Sequence, residues 1–285
     1  MILITGATGH VGRRCAQILA ADHLPLRLMA RDPARAERLP GAEVVHGDYG
    51  DPRSLDAAFS GIDAALVVSG SAEPMQRARL HANAFEAAAR AGVRHLVYLS
   101  FQGASPHSKF PYSRDHFASE KALGHSGVTF TALRDNFYMD LLPTMFDAYG
   151  ILRDPGRGGK AAFVSREDVA QVAAAVLRNP PTSSATWNVT GPEALSLEEV
   201  VHRLAAKVGR RLHYVPETVE EGRAWRSKLA SEPWEVDVWI GSYLAIAAGE
   251  LEATSDAVER FTGRAPLSFD AYFDDRPELL APLRR

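Results

Sequence analysis

The chain has 285 residues, of which 46% are hydrophobic and 24% charged, and carries a formal net charge of -3. This is an ordinary globular composition with apolar material for one large core or two small ones, and it offers no basic field for nucleic acid. No apolar run approaches the ~20 residues that cross a bilayer; the single cysteine excludes an internal disulfide, and the scattered histidines show no metal-ligand spacing.

Met1 leads straight into the apolar run Ile2-Leu3-Ile4, which leaves no room for a charged leader and predicts a cytoplasmic protein. Strands are expected at Ile2–Gly6, Leu26–Ala30, Glu43–Gly47, Ala64–Ser69, His95–Ser100 and Phe130–Arg134. Helical patterns fill the gaps at 11–22, 33–39, 52–60, 75–91 and 114–125. Alternation of this kind, with strands that are nearly unbroken apolar runs, predicts an α/β fold with a doubly wound parallel sheet covered on both faces.

After about residue 139 the rhythm changes. Gly150 to Gly159, rich in Gly, Pro and Arg, reads as a loop. Ser165-Arg-Glu-Asp168 resembles a capping box before a helix at 166–178, and Ser196-Leu-Glu-Glu199 is a proper one before 197–208. Short strands are expected at 186–190 and 212–215, and 219–275 reads as mostly helical, with Trp225, Trp234 and Trp239 close together. The expected organisation is a first domain over 1–150 and a smaller mixed α/β lobe over 151–285, some segments of which return to the first core.

The strongest motif is Gly6-Ala-Thr8-Gly9-His10-Val11-Gly12, at the junction of the first strand and first helix. In that context Gly6 allows a tight turn, Gly9 lets backbone approach a pyrophosphate, and Gly12 lets helix pack close on strand. The helix N-terminus then turns free N–H groups toward the phosphates of a dinucleotide. An acidic residue closing the second strand usually holds the adenosine ribose, but that position falls at about Ala30, followed by Arg31 and Arg35. Guanidinium groups there suit a 2′-phosphate and favour NADP(H) over NAD(H). Asp32 leaves an alternative open: a one-residue shift makes it the ribose acid, whereas Asp32-Pro33 also reads as an N-cap and first helical residue. Asp48, next to Tyr49, should lie at the adenine edge or serve as a turn acid. Ser69 and Gly70 should pass beneath the ribose and nicotinamide by backbone contact.

Several segments together resemble the NmrA-like atypical short-chain dehydrogenases, especially their NAD(P)H:quinone oxidoreductase branch. They are the glycine loop, Val97-Tyr-Leu-Ser100, His116-Phe-Ala-Ser-Glu120-Lys121-Ala-Leu, and Thr131-Ala-Leu-Arg134-Asp-Asn136-Phe137-Tyr138. Trp187-Asn-Val-Thr-Gly191-Pro and Ser196-Leu-Glu-Glu look like the family's second-lobe strand and helix, and Ala245–Leu251 and Val258–Arg264 also fit. The resemblance implies a Rossmann lobe, a smaller C-terminal lobe and an acceptor cleft between them. It also implies that Ser100, Asn136 and Phe137 border the cofactor. The wider superfamily uses a tyrosine with a lysine four residues on; here Tyr112 is followed at that spacing by His116, which leaves the tyrosine near its ordinary pKa of ~10 and a poor relay. Asp135 stands where asparagine or glycine is expected.

Hydride transfer demands placement above all. A ketone reduced to an alkoxide needs a strong proton donor, whereas a reduced quinone is a weak base that collects its proton from water. The missing tyrosine–lysine pair therefore points to a quinone or similar flat, electron-poor small-molecule acceptor, with a rate that falls only modestly from pH 6 to 8. Lys121 is the expected polar group at the nicotinamide ribose or oxyanion, with His116 facing the same cleft or serving at the surface, and Tyr138 in reserve as a donor. Cys15 belongs to the apolar stripe of the first helix, and the tryptophans either fill the second lobe or stack on the acceptor. A non-catalytic NADP(H)-binding redox sensor of the NmrA type is the alternative. No metal, nucleic acid or membrane partner is expected; a homodimer is compatible with the sequence.

Overall fold

A computed structural model describes residues 1–284. The first lobe is built from β1 (Ile2–Ile4), α1 (His10–Ala21), β2 (Leu26–Ala30), β3 (Ala42–His46), α2 (Pro52–Phe59), β4 (Ala64–Val67), α3 (Gln76–Arg90), β5 (His95–Phe101), α4 (Pro111–His125) and β6 (Thr129–Asp135). There follow β7 (Ile151–Asp154), β8 (Lys160–Ala161), α5 (Arg166–Arg178), β9 (Ala185–Val189), β10 (Leu195–Ser196), α6 (Leu197–Val208) and β11 (His213–Pro216). The chain closes with α7 (Val219–Arg226), α8 (Pro233–Ala247), α9 (Ala257–Thr262) and α10 (Phe269–Asp274).

Seven strands form one parallel sheet in the order β3-β2-β1-β4-β5-β6-β9. Ile2–Ile4 pairs with Leu26–Leu28 on one side and Ala64–Leu66 on the other, so the strand order reverses between β1 and β4. Ligands of such sheets bind in the crevice outside the carboxyl ends of the strands at that reversal. Helices on both faces leave the central strands dry: all seven residues of β5 are buried, which is why its sequence is a continuous rather than alternating apolar run.

The second lobe carries its own core, in which Phe163, Leu197, Val201, Leu204, Phe269 and Phe273 pack together. Two short ribbons brace it, β7 with β11 in parallel and β8 with β10 antiparallel. Ser196 and Glu199 form the reciprocal capping box that starts α6, and Gly209 in the left-handed conformation ends it.

Three expectations change. Residues 33–39 hold only one 3₁₀ turn, Pro33–Arg35, because none of its residues is buried and Ala36 is already extended. The stretch from Gly150 to Gly159 is not all loop: Ile151–Asp154 pairs with β11, a short strand hidden among turn residues. Trp187–Val189 does not belong to the second lobe, since β9 pairs with β6 at the edge of the main sheet. Likewise α5 lies against α1, where Arg14 grips Glu167 with both Nε (2.7 Å) and Nη2 (3.0 Å).

Candidate active site

At the end of β1 the backbone needs glycine at two places, Gly6 and Gly12, with Gly9 closing the turn between them. Gly6 has φ +59°, the left-handed region that a side chain resists. Gly9 N–H donates to Gly6 O at 2.9 Å and closes the turn. A Cβ on Gly12 would stand 2.4 Å from Gly6 O, so α1 can lie this close to the loop only without one. Gly9 is the N-cap of α1, with no side-chain cap and no acidic residue in the first turn. By contrast Ser165, Ser196 and Thr218 cap α5, α6 and α7 with their hydroxyls. The first N–H groups of α1 are thus left for an anion.

A cavity of about 180 Å³ opens beside this loop, walled by Gly6 and Thr8 of the loop, Ala30 at the end of β2 and Arg31 after it, Asp48 and Tyr49 after β3, and Ser69 and Gly70 after β4. Asp32 does not line it; its Oδ1 accepts from Ala34 N–H at 3.1 Å and caps the 3₁₀ turn. Arg35 is exposed outside this wall. Asp48 lines the cavity and is a turn acid as well, its Oδ1 accepting from Gly50 N–H at 2.7 Å. Tyr49 is anchored from below: its hydroxyl donates to Val68 O at 2.9 Å and contacts Thr5 Oγ1 at 2.5 Å, and Thr5 Oγ1 accepts from Val68 N–H at 2.9 Å. Thr5 and Tyr49 therefore staple β1 to β4 across the strand-order reversal.

Gly70 is clamped by both of its backbone groups. Its N–H donates to His81 Nε2 at 3.0 Å, and its carbonyl accepts from Arg77 Nε at 2.8 Å. Behind them lies a buried chain in which Tyr98 Oη meets His81 Nδ1 at 3.1 Å and His116 Nδ1 at 2.9 Å. Burial, with Arg77 next, pushes His81 down to about 3 and His116 well below the usual imidazole range, so both rings are neutral. His116 therefore sits beneath the crevice instead of facing it. Tyr112, half-buried, lies under the Arg77 guanidinium at 3.8 Å and donates to Ala72 O at 3.0 Å. It holds the loop after β4.

Two residues expected at the cofactor are committed elsewhere. Ser100 Oγ donates to Glu120 Oε1 at 2.5 Å, and Arg134 closes the same carboxylate from β6 at 2.8 and 2.6 Å. Asn136 is fully buried; its Nδ2 donates to Gln102 Oε1 (3.0 Å) and Leu251 O (2.9 Å), and its Oδ1 accepts from Phe137 N–H at 2.7 Å. It fixes the turn after β6, and both of its N–H donors are used within the protein. Lys121 also departs from expectation. It shares the exposed stripe of α4 with Arg114, Ala118 and His125, and it lines neither of the cavities described here, because Ser119 and Leu123 take the buried face. Val11 is buried, whereas His10 is exposed at the head of α1.

Past Asn136 the chain enters a second cavity of about 530 Å³. Phe137, Tyr138, Leu142, Trp225, Trp239 and Tyr243 are among its walls, and exposed Leu229 and Leu141 stand at its rim. Among the described residues Arg226 is the one charged side chain in this wall, and its charge is committed to Glu217 while its guanidinium lies over Trp225 (4.3 Å) and Tyr243 (4.7 Å). The chamber is therefore shaped for a flat apolar molecule. Trp234 packs in the second-lobe core. Sequence alone does not mark Thr5, Arg77 or His81 as parts of the site, and Glu120 enters only as a member of a resembling segment. A histidine and an arginine on the buried face of α3 could have been noticed, but their partners come from α4 and from the loop after β4.

Among the described residues no helix is long and apolar enough to cross a membrane, and no group of His, Cys, Asp or Glu could hold a metal ion. Residues 6–180 match the family model described as NAD(P)H-binding. An NAD(P)H azoreductase of Xenophilus azovorans is 30% identical over 94% of this chain and 95% of its own length. A (4-alkanoyl-5-oxo-2,5-dihydrofuran-3-yl)methyl phosphate reductase of Streptomyces griseus is 34% identical over 99% of this chain and 100% of its own. The structure of an NADPH-dependent quinone oxidoreductase of Escherichia coli complexed with NADPH superimposes with a TM-score of 0.87 at 27% identity, covering 96% of this chain and 99% of that one. With its glycine cradle, uncapped α1 and strand-order crevice, the chain belongs to the NAD(P)H-binding family, among the NmrA-like and quinone-oxidoreductase-type members that its sequence resembles.

Proposed function

We propose that this protein is an NADPH-dependent oxidoreductase that transfers hydride to a quinone or a similar flat, electron-poor acceptor. The observation that carries the reading is the aromatic-walled chamber of about 530 Å³ at the end of β6, in the same molecule as a phosphate loop with an uncapped helix. The relatives named for azo compounds and quinones support the same acceptor class.

The glycine loop fits a dinucleotide because any Cβ on Gly12 would collide with its backbone. Thr8, His10, Val11 and Gly12 would present backbone N–H groups to the pyrophosphate, while Gly6 and Gly9, whose N–H closes the turn on Gly6 O, would shape the loop around it. Arg31 would pair with the 2′-phosphate, with Arg35 on the same exposed turn, and Asp32 offers no competing ribose acid because it caps that turn. Asp48 and Tyr49 would wall the adenosine half, and Ser69 and Gly70 would pass beneath the ribose and nicotinamide by backbone contact. When bound, the nicotinamide supplies the hydride. The protein's own part is to hold the acceptor between Phe137, Trp225, Trp239 and Tyr243 and to exclude water from it. Of the three residues that the sequence nominates for chemistry, Tyr138 lines that chamber, His116 is buried and lines neither cavity, and Lys121 faces solvent. We place the reaction in the cytoplasm.

Purified protein should oxidise NADPH when given benzoquinone or naphthoquinone and do so much more slowly with simple ketones. Good NADPH affinity without acceptor-dependent oxidation above background would replace the reductase with a redox sensor.

A further inference from the structure

β6 ends on a carboxylate in an unusual place. In the sheet Asp135 stands in register with Phe101 of β5 and Val189 of β9, so apolar neighbours flank it on both sides, and only 6% of the residue is exposed. Three residues on, Tyr138 forms part of the acceptor chamber, and its hydroxyl donates to Asp135 Oδ2. The charged groups that face this pair are few. From α5, Arg166 lies 4.5 Å over the Tyr138 ring but is ion-paired with Asp140, which faces Tyr138 from the following 3₁₀ turn. From α3, Arg77 attracts the carboxylate from a distance while its Nε holds Gly70 O. Neither cation forms an ion pair with Asp135.

We propose that Asp135 is a positioning residue that switches Tyr138 between a withheld and a proton-donating state. This rests on the reductase reading above. As a carboxylate, Asp135 accepts the Tyr138 O–H and keeps it turned from the chamber. As a neutral acid it donates its own O–H to Tyr138 Oη, and the phenolic O–H is free to point at the acceptor. When hydride reaches the acceptor, the Tyr138 O–H bond breaks and its proton forms the new O–H or N–H bond. The Asp135 proton passes to Tyr138 Oη, and the resulting carboxylate regains a proton from water.

Burial pushes Asp135 up to about 7, against the opposing pull of the Tyr138 hydrogen bond, Arg166 and Arg77. Both states are therefore populated near neutral pH. Acceptors should divide by how basic their reduced form is. The oxyanion from benzoquinone is a weak base and gains little from an internal donor, whereas a reduced azo nitrogen needs its proton during the transfer.

The test is kcat/KM from pH 6 to 9 with an azo dye and with benzoquinone. In the unmutated protein the azo rate should fall about tenfold per pH unit above neutrality, while the benzoquinone rate falls much less. D135N keeps an N–H donor for Tyr138 Oη but cannot titrate, so its azo profile should be flat. Y138F, which needs no new fold contacts, should lower the ratio of azo to benzoquinone turnover at pH 6 by about tenfold or more. A second readout needs no turnover. A carboxyl whose folded pKa is raised stabilises the fold below about pH 4 and loses that contribution as pH rises through about 7. The melting temperature of the unmutated protein relative to D135N should therefore fall between pH 5 and 8. Parallel azo profiles in the two proteins, or a melting difference that does not change with pH, would overturn the proposal. Absence of turnover with every acceptor would refute the reductase reading and the donor role with it, while the melting series would still show whether Asp135 changes protonation near neutrality.

Discussion

The cavity beside the glycine loop and the chamber behind Tyr138 are built from different materials. The first is walled by backbone at Gly6 and Gly70, by hydroxyl-bearing side chains such as Thr8, Ser69 and Tyr49, by a few aliphatic ones such as Val68 and Leu80, and by the two charges of Arg31 and Asp48. The second is walled by rings, and its one charged side chain among the described residues is already paired. A site that reads phosphates can use N–H groups whose position is set by the main chain, so little freedom is left in its sequence. A site that reads a flat apolar face needs area and shape, which many combinations of aromatic residues supply. The first site should therefore fail sharply under single substitutions and the second gradually.

The sharpest break should come from Gly12→Val. Its Cβ would meet Gly6 O at 2.4 Å, so the loop must move. We expect NADPH affinity to drop about 100-fold or more, with a loss of stability of about 1–3 kcal/mol as for other overpacked sites. Titration by fluorescence and a thermal melt check both; an unshifted affinity would remove the loop from the cofactor site. Arg31→Ala comes next. It should weaken NADPH by roughly tenfold to a hundredfold and leave NADH unchanged, the cost of one charge-assisted hydrogen bond to phosphate. Equal affinity for both cofactors in the unmutated protein would mean that Arg31 does not read the 2′-phosphate.

On the acceptor side Trp239→Leu keeps apolar volume and removes a ring. KM for naphthoquinone should rise by about threefold to tenfold, since an aromatic contact contributes about 0.5–1.5 kcal/mol beyond its area. Cofactor affinity should stay put; a change in NADPH binding would show that the two cavities are not independent. The smallest effect belongs to Lys121→Met, which should change stability by less than about 0.5 kcal/mol, as expected on a solvent stripe. Turnover should likewise be close to that of the unmutated protein. A large drop in kcat would bring Lys121 back to the nicotinamide.

The same contrast governs what could be read from the sequence. The glycine spacing, Arg31 after β2, and the change of rhythm after about residue 139 follow from rules that act within a few residues, and strands β1 to β6 fall within one or two residues of their expected positions. The helix cap at Asp32 was one of two local readings, and the structure decides between them because Oδ1 meets Ala34 N–H. What escaped depends on partners far apart in the chain. Ser100 looked available until Glu120 and Arg134 closed around it, and Asn136 until Gln102 and Leu251 took its amide. Lys121 was placed by resemblance, and the helical register of α4 turns it to solvent. Asp135 was legible only as a departure from the expected asparagine or glycine; its apolar neighbours come from β5 and β9.

Cys15 lies on the buried face of α1, wholly inaccessible, and burial pushes its thiol up to about 12. Quinones are electrophiles that arylate thiolates by conjugate addition, and the chain has no second cysteine. A protein that turns over such acceptors repeatedly therefore offers them no thiol to attack while it stays folded. Its working lifetime in their presence is then set by how seldom α1 opens, and an added thiol at the chamber rim, such as Leu229→Cys, would turn the same acceptors into covalent probes of the mouth.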